Sequence, residues 1–85
     1  LEAREVRPKA KMSFKETREL EALPERISGV EAEQAALNAR LADPALYRSA
    51  PEEVRVLNER MVELEAGIAQ AMQRWEELEA RSAGL

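Results

Sequence analysis

Six basic side chains stand in the first eighteen residues: Arg4, Arg7, Lys9, Lys11, Lys15 and Arg18, against three acids, Glu2, Glu5 and Glu16. Lysine and arginine at this density on an irregular segment can neutralise a row of phosphates without fixed geometry, and six contacts imply a salt slope of roughly −5 on duplex DNA. Phe14, beside Lys15, adds a ring on which an exposed base can stack. The competing reading is a solvated linker that keeps a helical domain in solution, with Phe14 closing the base of the fold. Net charge alone points away from nucleic acid, since the whole 85-residue chain carries −4. That average hides a split. Residues 1–18 hold six basic and three acidic groups, for +3, while residues 19–85 hold seven and fourteen, for −7. The pattern is a basic arm on an acidic body.

Other chemistries find little material. Cysteine and histidine are both absent, which removes disulfides, the usual zinc, copper and haem ligands and the commonest general base. The carboxylates lack the D-x-D-x-D-G spacing of a calcium loop. Gly29, Gly67 and Gly84 stand far apart, so no glycine-rich phosphate loop can be assembled. Ser13, Ser28, Ser49 and Ser82 have no histidine to activate them. No catalytic residue, metal site or cofactor is therefore expected within this chain.

The elements that must carry the basic residues follow from composition and spacing. Charged residues are 35% of the chain and aromatics 4%, a balance typical of long amphipathic helices and not of sheets. Leu20, Leu23, Ile27, Val30, Leu37 and Leu41 repeat at three and four, with Gln34 in the one missing place. Val54, Leu57, Met61, Leu64, Ile68, Ala71, Trp75 and Leu78 repeat the pattern. Each run reads as a helix packed along a narrow seam. In such a seam Gln34 fixes register, and Trp75 belongs to the core.

Between the runs, Asp43 and Pro44 open a turn, and Ser49 with Glu52 has the spacing of a capping box leading into Pro51. So short a connection folds the helices back on each other. Leu46 and Tyr47 lie at this tip, where an apolar pair either covers the last layer or meets a partner. Pairing an a position with a d position in every layer gives residue numbers summing to 98: Leu41 with Leu57, Leu37 with Met61, Gln34 with Leu64, Val30 with Ile68, Ile27 with Ala71, Leu23 with Trp75 and Leu20 with Leu78. A register about four lower, near 94, competes with it.

Ser13 and Glu16 form another capping box, so a short helix is expected to start near Phe14. Pro24 disfavours helical backbone at Leu23 and cannot donate to the carbonyl four residues back, so the long helix is expected to start anew there or to kink. The chain thus reads as an all-α, two-helix antiparallel coiled-coil hairpin preceded by a short helix and a basic flexible arm. The arm covers 1–12 and the hairpin domain 13–85, with a short helix at about 13–22, helices at about 24–42 and 51–81, and a tip loop at about 43–50. The absence of a long apolar run or signal-peptide core makes the cytoplasm the default location, with no membrane partner.

The stretch KMSFKETRELEALPERI, Lys11 to Ile27, closely resembles the K-L-S-Y-K-E-Q-R-E-L-E-A-L-P-x-R-I opening of the C-terminal domain in Uup-type members of the ABC-F family, soluble ABC ATPases of bacteria. The likeness continues through LADPALY at Leu41 to Tyr47, APEE at the start of the second helix and RWEELE from Arg74 to Glu79. It covers about Lys11 to Ala80. The resemblance implies that the chain is the terminal piece of a larger protein whose two upstream cassettes bind ATP and Mg and carry the ATPase activity. It also implies an intramolecular helical hairpin, and DNA binding by this domain within a family whose members act on ribosomes. Arg4, Arg7, Lys9 and Lys11 occupy the place of the family's lysine-rich segment, more sparsely.

Two function classes follow. In the first, the chain is a non-catalytic nucleic-acid-binding domain for DNA, with ribosomal RNA or the ribosome as the alternative partner, using Arg4, Arg7, Lys9, Lys11, Lys15 and Arg18. In the second, it is a protein-interaction module whose tip, Leu46 and Tyr47, meets the ATPase cassettes or another protein, with weak self-association as its lesser form.

Overall fold

The computed structural model describes residues 12–83. Helix α1 runs Phe14–Leu41, a short helix α2 runs Pro44–Ser49, and α3 runs Pro51–Ser82. There is no strand among the described residues. The first helix starts as its sequence requires. Ser13 Oγ accepts the Glu16 amide at 3.0 Å and the Ser13 amide donates to Glu16 Oε1 at 3.0 Å, a complete capping box.

Pro24 does not divide α1, contrary to the expected short helix at 13–22 and fresh start at Pro24. The helix is continuous over 28 residues with Pro24 inside it. An interior proline costs roughly 3 kcal/mol through its missing amide and ring clash. Here the flanking residues offset that cost: Leu23 is 2% exposed and Ile27 7% exposed, and burying such side chains contributes roughly 1.5–3 kcal/mol each. Pro24 itself lies on the exposed side.

The tip, expected as a loop over 43–50, contains the one-and-a-half-turn helix α2. Asp43 caps it, its Oδ1 accepting the Ala45 amide at 3.0 Å, and Pro44 takes the first helical position. Ser49 does not cap α3 as its spacing with Glu52 suggests. It is still the last residue of α2, and its hydroxyl donates to the Ala45 carbonyl at 2.9 Å. Ala50 precedes α3 without a side-chain cap, and Glu52 and Glu53 lie in its first turn, where negative charge favours the helix amino terminus.

The two long helices form an antiparallel hairpin, and the register is the competing one. Glu19 pairs with Arg74, Glu33 with Arg60 and Arg40 with Glu53, each through two hydrogen bonds of 2.7–3.0 Å. The residue numbers of every pair sum to 93, which brings Leu23 beside Gln70 and Ala71 and not opposite Trp75. Charge explains the choice. A register of 98 sets Glu19 opposite Glu79 and Glu33 opposite Glu65, two like-charge meetings, whereas the observed one meets opposite charges. It also sets a small residue, Ala71, against Leu23. Leu23, Ile27, Ala71 and Leu78 make the buried cluster, with Leu20 and Trp75 packed against it. Trp75 therefore serves the core as expected, and its indole N–H donates to Glu79 Oε2 at 3.1 Å. Gln34, on the seam, is half-buried.

Candidate nucleic-acid interface

The hairpin has an open end, where α1 begins and α3 finishes, and it is held by a clasp around one carboxylate. Glu16 uses Oε1 in the capping box and accepts Arg81 Nη1 on Oε2 at 2.7 Å, with Arg74 Nη2 3.9 Å away. The same side chain thus orders the first turn of α1 and ties it to the last turns of α3. Arg74 completes the clasp by its paired bonds to Glu19 and a third to Glu77 at 3.2 Å. Arg81 Nε is buried beside it with no acceptor among the described residues.

On this ordered turn stand three exposed side chains. Phe14 is 76% exposed, so it does not close the base of the hairpin. Arg18 lies over its ring, with Cζ 5.6 Å from the centroid, a cation–π distance. Lys15 is exposed one residue on. Neither Lys15 nor Arg18 forms an ion pair among the described residues. A planar ring backed by a guanidinium, with an ammonium beside it, can stack on a base and hold a phosphate at once. Arg4, Arg7, Lys9 and Lys11, the rest of the expected basic set, lie outside the described residues.

Five other arginines of the long helices contrast with these. Arg40, Arg55, Arg60, Arg74 and Arg81 all donate to glutamates. Their partners hold their charge more firmly: hydrogen bonds from Arg74, Arg60 and Arg40 lower the carboxyl pKa of Glu19, Glu33 and Glu53 respectively. For Glu19 the positive charges of Arg74, Lys15 and Arg26 act in the same direction.

Arg26 is a site that reasoning from the basic arm alone missed. It borders a groove of about 160 Å3 on the flank of the hairpin, together with Glu19, Gly67, Gln70 and Arg74, over Leu23 and Ala71. Its sequence signal is legible in hindsight: residues 22, 23, 29 and 30, the positions three and four away, are Ala, Leu, Gly and Val, so no local acid is available to pair with it.

At the opposite end the expected tip pair separates. Leu46 is 4% exposed and covers the last layer of the hairpin, so it is not presented to a partner. Its burial follows from α2, which turns it inward. Tyr47 is 50% exposed, and its hydroxyl donates to the Leu41 carbonyl at 2.6 Å. The ring is therefore fixed in place but open on one side. Among the described residues no helix is long and apolar enough to cross a membrane.

Comparison with known proteins bears on the whole of this arrangement. The family model described as ABC transporter C-terminal domain matches residues 11–80. A Haemophilus influenzae protein named ATP-binding protein Uup-like is 38% identical over 79 residues, covering 92% of this chain and 17% of that protein. The ATP-binding protein Uup of Haemophilus influenzae is also 38% identical, over 92% of this chain and 12% of its own length. That of Escherichia coli K12 is 36% identical over 78 residues, with the same coverage. The chain thus spans less than a fifth of the curated relatives it matches. No solved structure matches it.

Proposed function

The chain belongs to the ABC transporter C-terminal domain family, and from that premise we propose that it is a nucleic-acid-binding accessory domain of a Uup-type ABC-F ATP-binding protein. It contributes no catalytic group, and ATP and Mg belong to cassettes elsewhere in the parent protein. The hairpin holds its open end rigid, and the first turn of α1 with the basic segment before it grips phosphates of DNA. The observation that carries this reading is the exposed trio of Phe14, Lys15 and Arg18. Lys15 and Arg18 make no ion pair among the described residues, while the arginines of the clasp and ladder are held by glutamates. They also continue directly the basic run Arg4, Arg7, Lys9 and Lys11.

The test is fluorescence anisotropy with labelled duplex DNA, single-stranded DNA and an RNA hairpin, each at two salt concentrations. Binding that weakens steeply with salt is expected, led by DNA. Replacing Arg4, Arg7, Lys9 and Lys11 together by Gln lowers affinity for every sequence and flattens the salt dependence by about 0.9 per lost duplex phosphate contact. Unchanged binding in that variant removes the arm from the mechanism. Stronger binding to the RNA hairpin than to either DNA assigns the surface to ribosomal RNA.

A second reading is favoured by Tyr47, half exposed on a backbone-anchored ring at the tip. In it the tip meets a protein, the parent's own cassettes included. Tyr47→Ser then abolishes capture of the cassettes by the hairpin without changing helicity; retained capture rules the tip out.

A further inference from the structure

We propose that Arg26, in the groove opposite Gly67, is a second phosphate-binding position that extends the nucleic-acid surface from the open end along the flank of the hairpin. The inference rests on the nucleic-acid reading above and adds to it a site a little under halfway down α1. Along this flank the helices meet at pairs whose residue numbers sum to 93: Glu19 with Arg74, Glu33 with Arg60, Arg40 with Glu53. Arg26 and Gly67 occupy the one rung between Glu19–Arg74 and Glu33–Arg60. There a guanidinium faces a residue with no side chain.

Three features make the rung a site and not merely a gap. Arg26 is exposed and makes no ion pair among the described residues, nor is there an acid three or four positions away on its own helix. Gly67 leaves space: a methyl group added there meets nothing within 4 Å. A glycine inside a helix is disfavoured by about 1 kcal/mol relative to alanine, so neither packing nor helix propensity accounts for it. Finally, the groove holds further donors. Gln70 lines it, and Arg74 is on its edge, while the charge of Glu19 is taken up by Arg74 through two bonds. Arg74 is itself held by Glu19 and Glu77, which leaves Arg26 as the cation of the groove with no bonded acid among the described residues.

Geometry connects this groove to the open end. Arg18 and Arg26 are eight residues apart, just over two turns, and so lie on neighbouring faces of α1 about 12 Å apart along its axis. Lys15, Arg18 and Arg26 fall within about 80° of one another around the helix at 100° per residue. A single backbone strand held by Lys15 and Arg18 can therefore continue along the flank and present a phosphate to Arg26 and the amide of Gln70. No base is read at this position, because both donors address the backbone.

The experiment compares three variants with the parent chain on the same labelled duplex DNA across a salt series, with helicity checked by circular dichroism. Arg26→Gln removes the cation. Gly67→Glu fills the missing rung with an acid that captures Arg26 internally, whereas Gly67→Ala fills the space without charge. The proposal expects Arg26→Gln and Gly67→Glu each to weaken binding about eightfold at 0.1 M salt and to lower the salt slope by about 0.9, the counterion-release value of one duplex phosphate. Gly67→Ala is expected to bind like the parent. If both charged-site variants keep the parent's affinity and slope, Arg26 is no phosphate position and the proposal is overturned, with the arm reading intact. If Gly67→Ala loses binding as much as Gly67→Glu, shape and not charge governs the groove, which also overturns it. A parent chain that binds no nucleic acid at low salt overturns this proposal together with the function on which it rests.

Discussion

Single side chains decide what the ends of the hairpin can do. Glu16 is shared between the capping box and Arg81, so the residue that starts α1 also locks it against α3. Ser13→Ala removes one half of the cap and is expected to lower stability by about 1 kcal/mol, a fall in Tm of roughly 4–8 °C for a domain of this size. A thermal melt checks it; an unchanged melt shows that α1 does not depend on this cap. The basic residues, the family motif and the capping box at Ser13 were all legible in the sequence, since each depends on local order alone. Arg26 was not singled out, because its significance lies in Gly67, 41 positions later. Leu46 was half legible: an apolar residue at a tip is either covered or offered, and only α2 settles that it is covered.

At the scale of elements, seam periodicity located both long helices, and tertiary packing then overrode two local signals. Pro24 reads as a break, yet Leu23 and Ile27 on either side are buried and the helix passes through. Pro24→Ala restores a hydrogen-bond donor without touching the seam and is expected to raise stability by up to about 3 kcal/mol, seen as a higher Tm. No gain, or a loss, means that the helix is interrupted there in solution. Register was the other limit. Evenly spaced apolar residues fit more than one alignment, and the decision came from arginines and glutamates beside the seam. A charge exchange tests it: Glu33→Arg lowers Tm at low salt, and adding Arg60→Glu restores it. With residue numbers summing to 98, Glu33 faces Glu65 and the second change rescues nothing.

The whole molecule is a narrow hairpin with a small core, so its charge ladder makes it sensitive to acid. Glu19, Glu33 and Glu53 have folded-state pKa values lowered by hydrogen bonds from arginine. Lowered folded values mean that the native state binds fewer protons than the unfolded chain, so this stabilisation is present above the ordinary carboxylate range. It is lost as pH falls through the depressed values. Tm is therefore expected to be level near neutrality and to fall below about pH 4. Replacing the three glutamates by Gln is expected to lower Tm at pH 7 and flatten the acid fall. An equally steep fall in that variant shows that other carboxylates carry it.

Lys15 and Arg18 stand exposed at the open end and Tyr47 at the tip, and the proposed function turns on which end meets the partner. An NMR titration of the backbone amides with a short duplex DNA distinguishes them most directly. Shifts concentrated at residues 14–26, falling away toward the tip and reversed by added salt, are the predicted result. Shifts concentrated at residues 44–50, or none at low salt, contradict the assignment of the open end as the nucleic-acid surface.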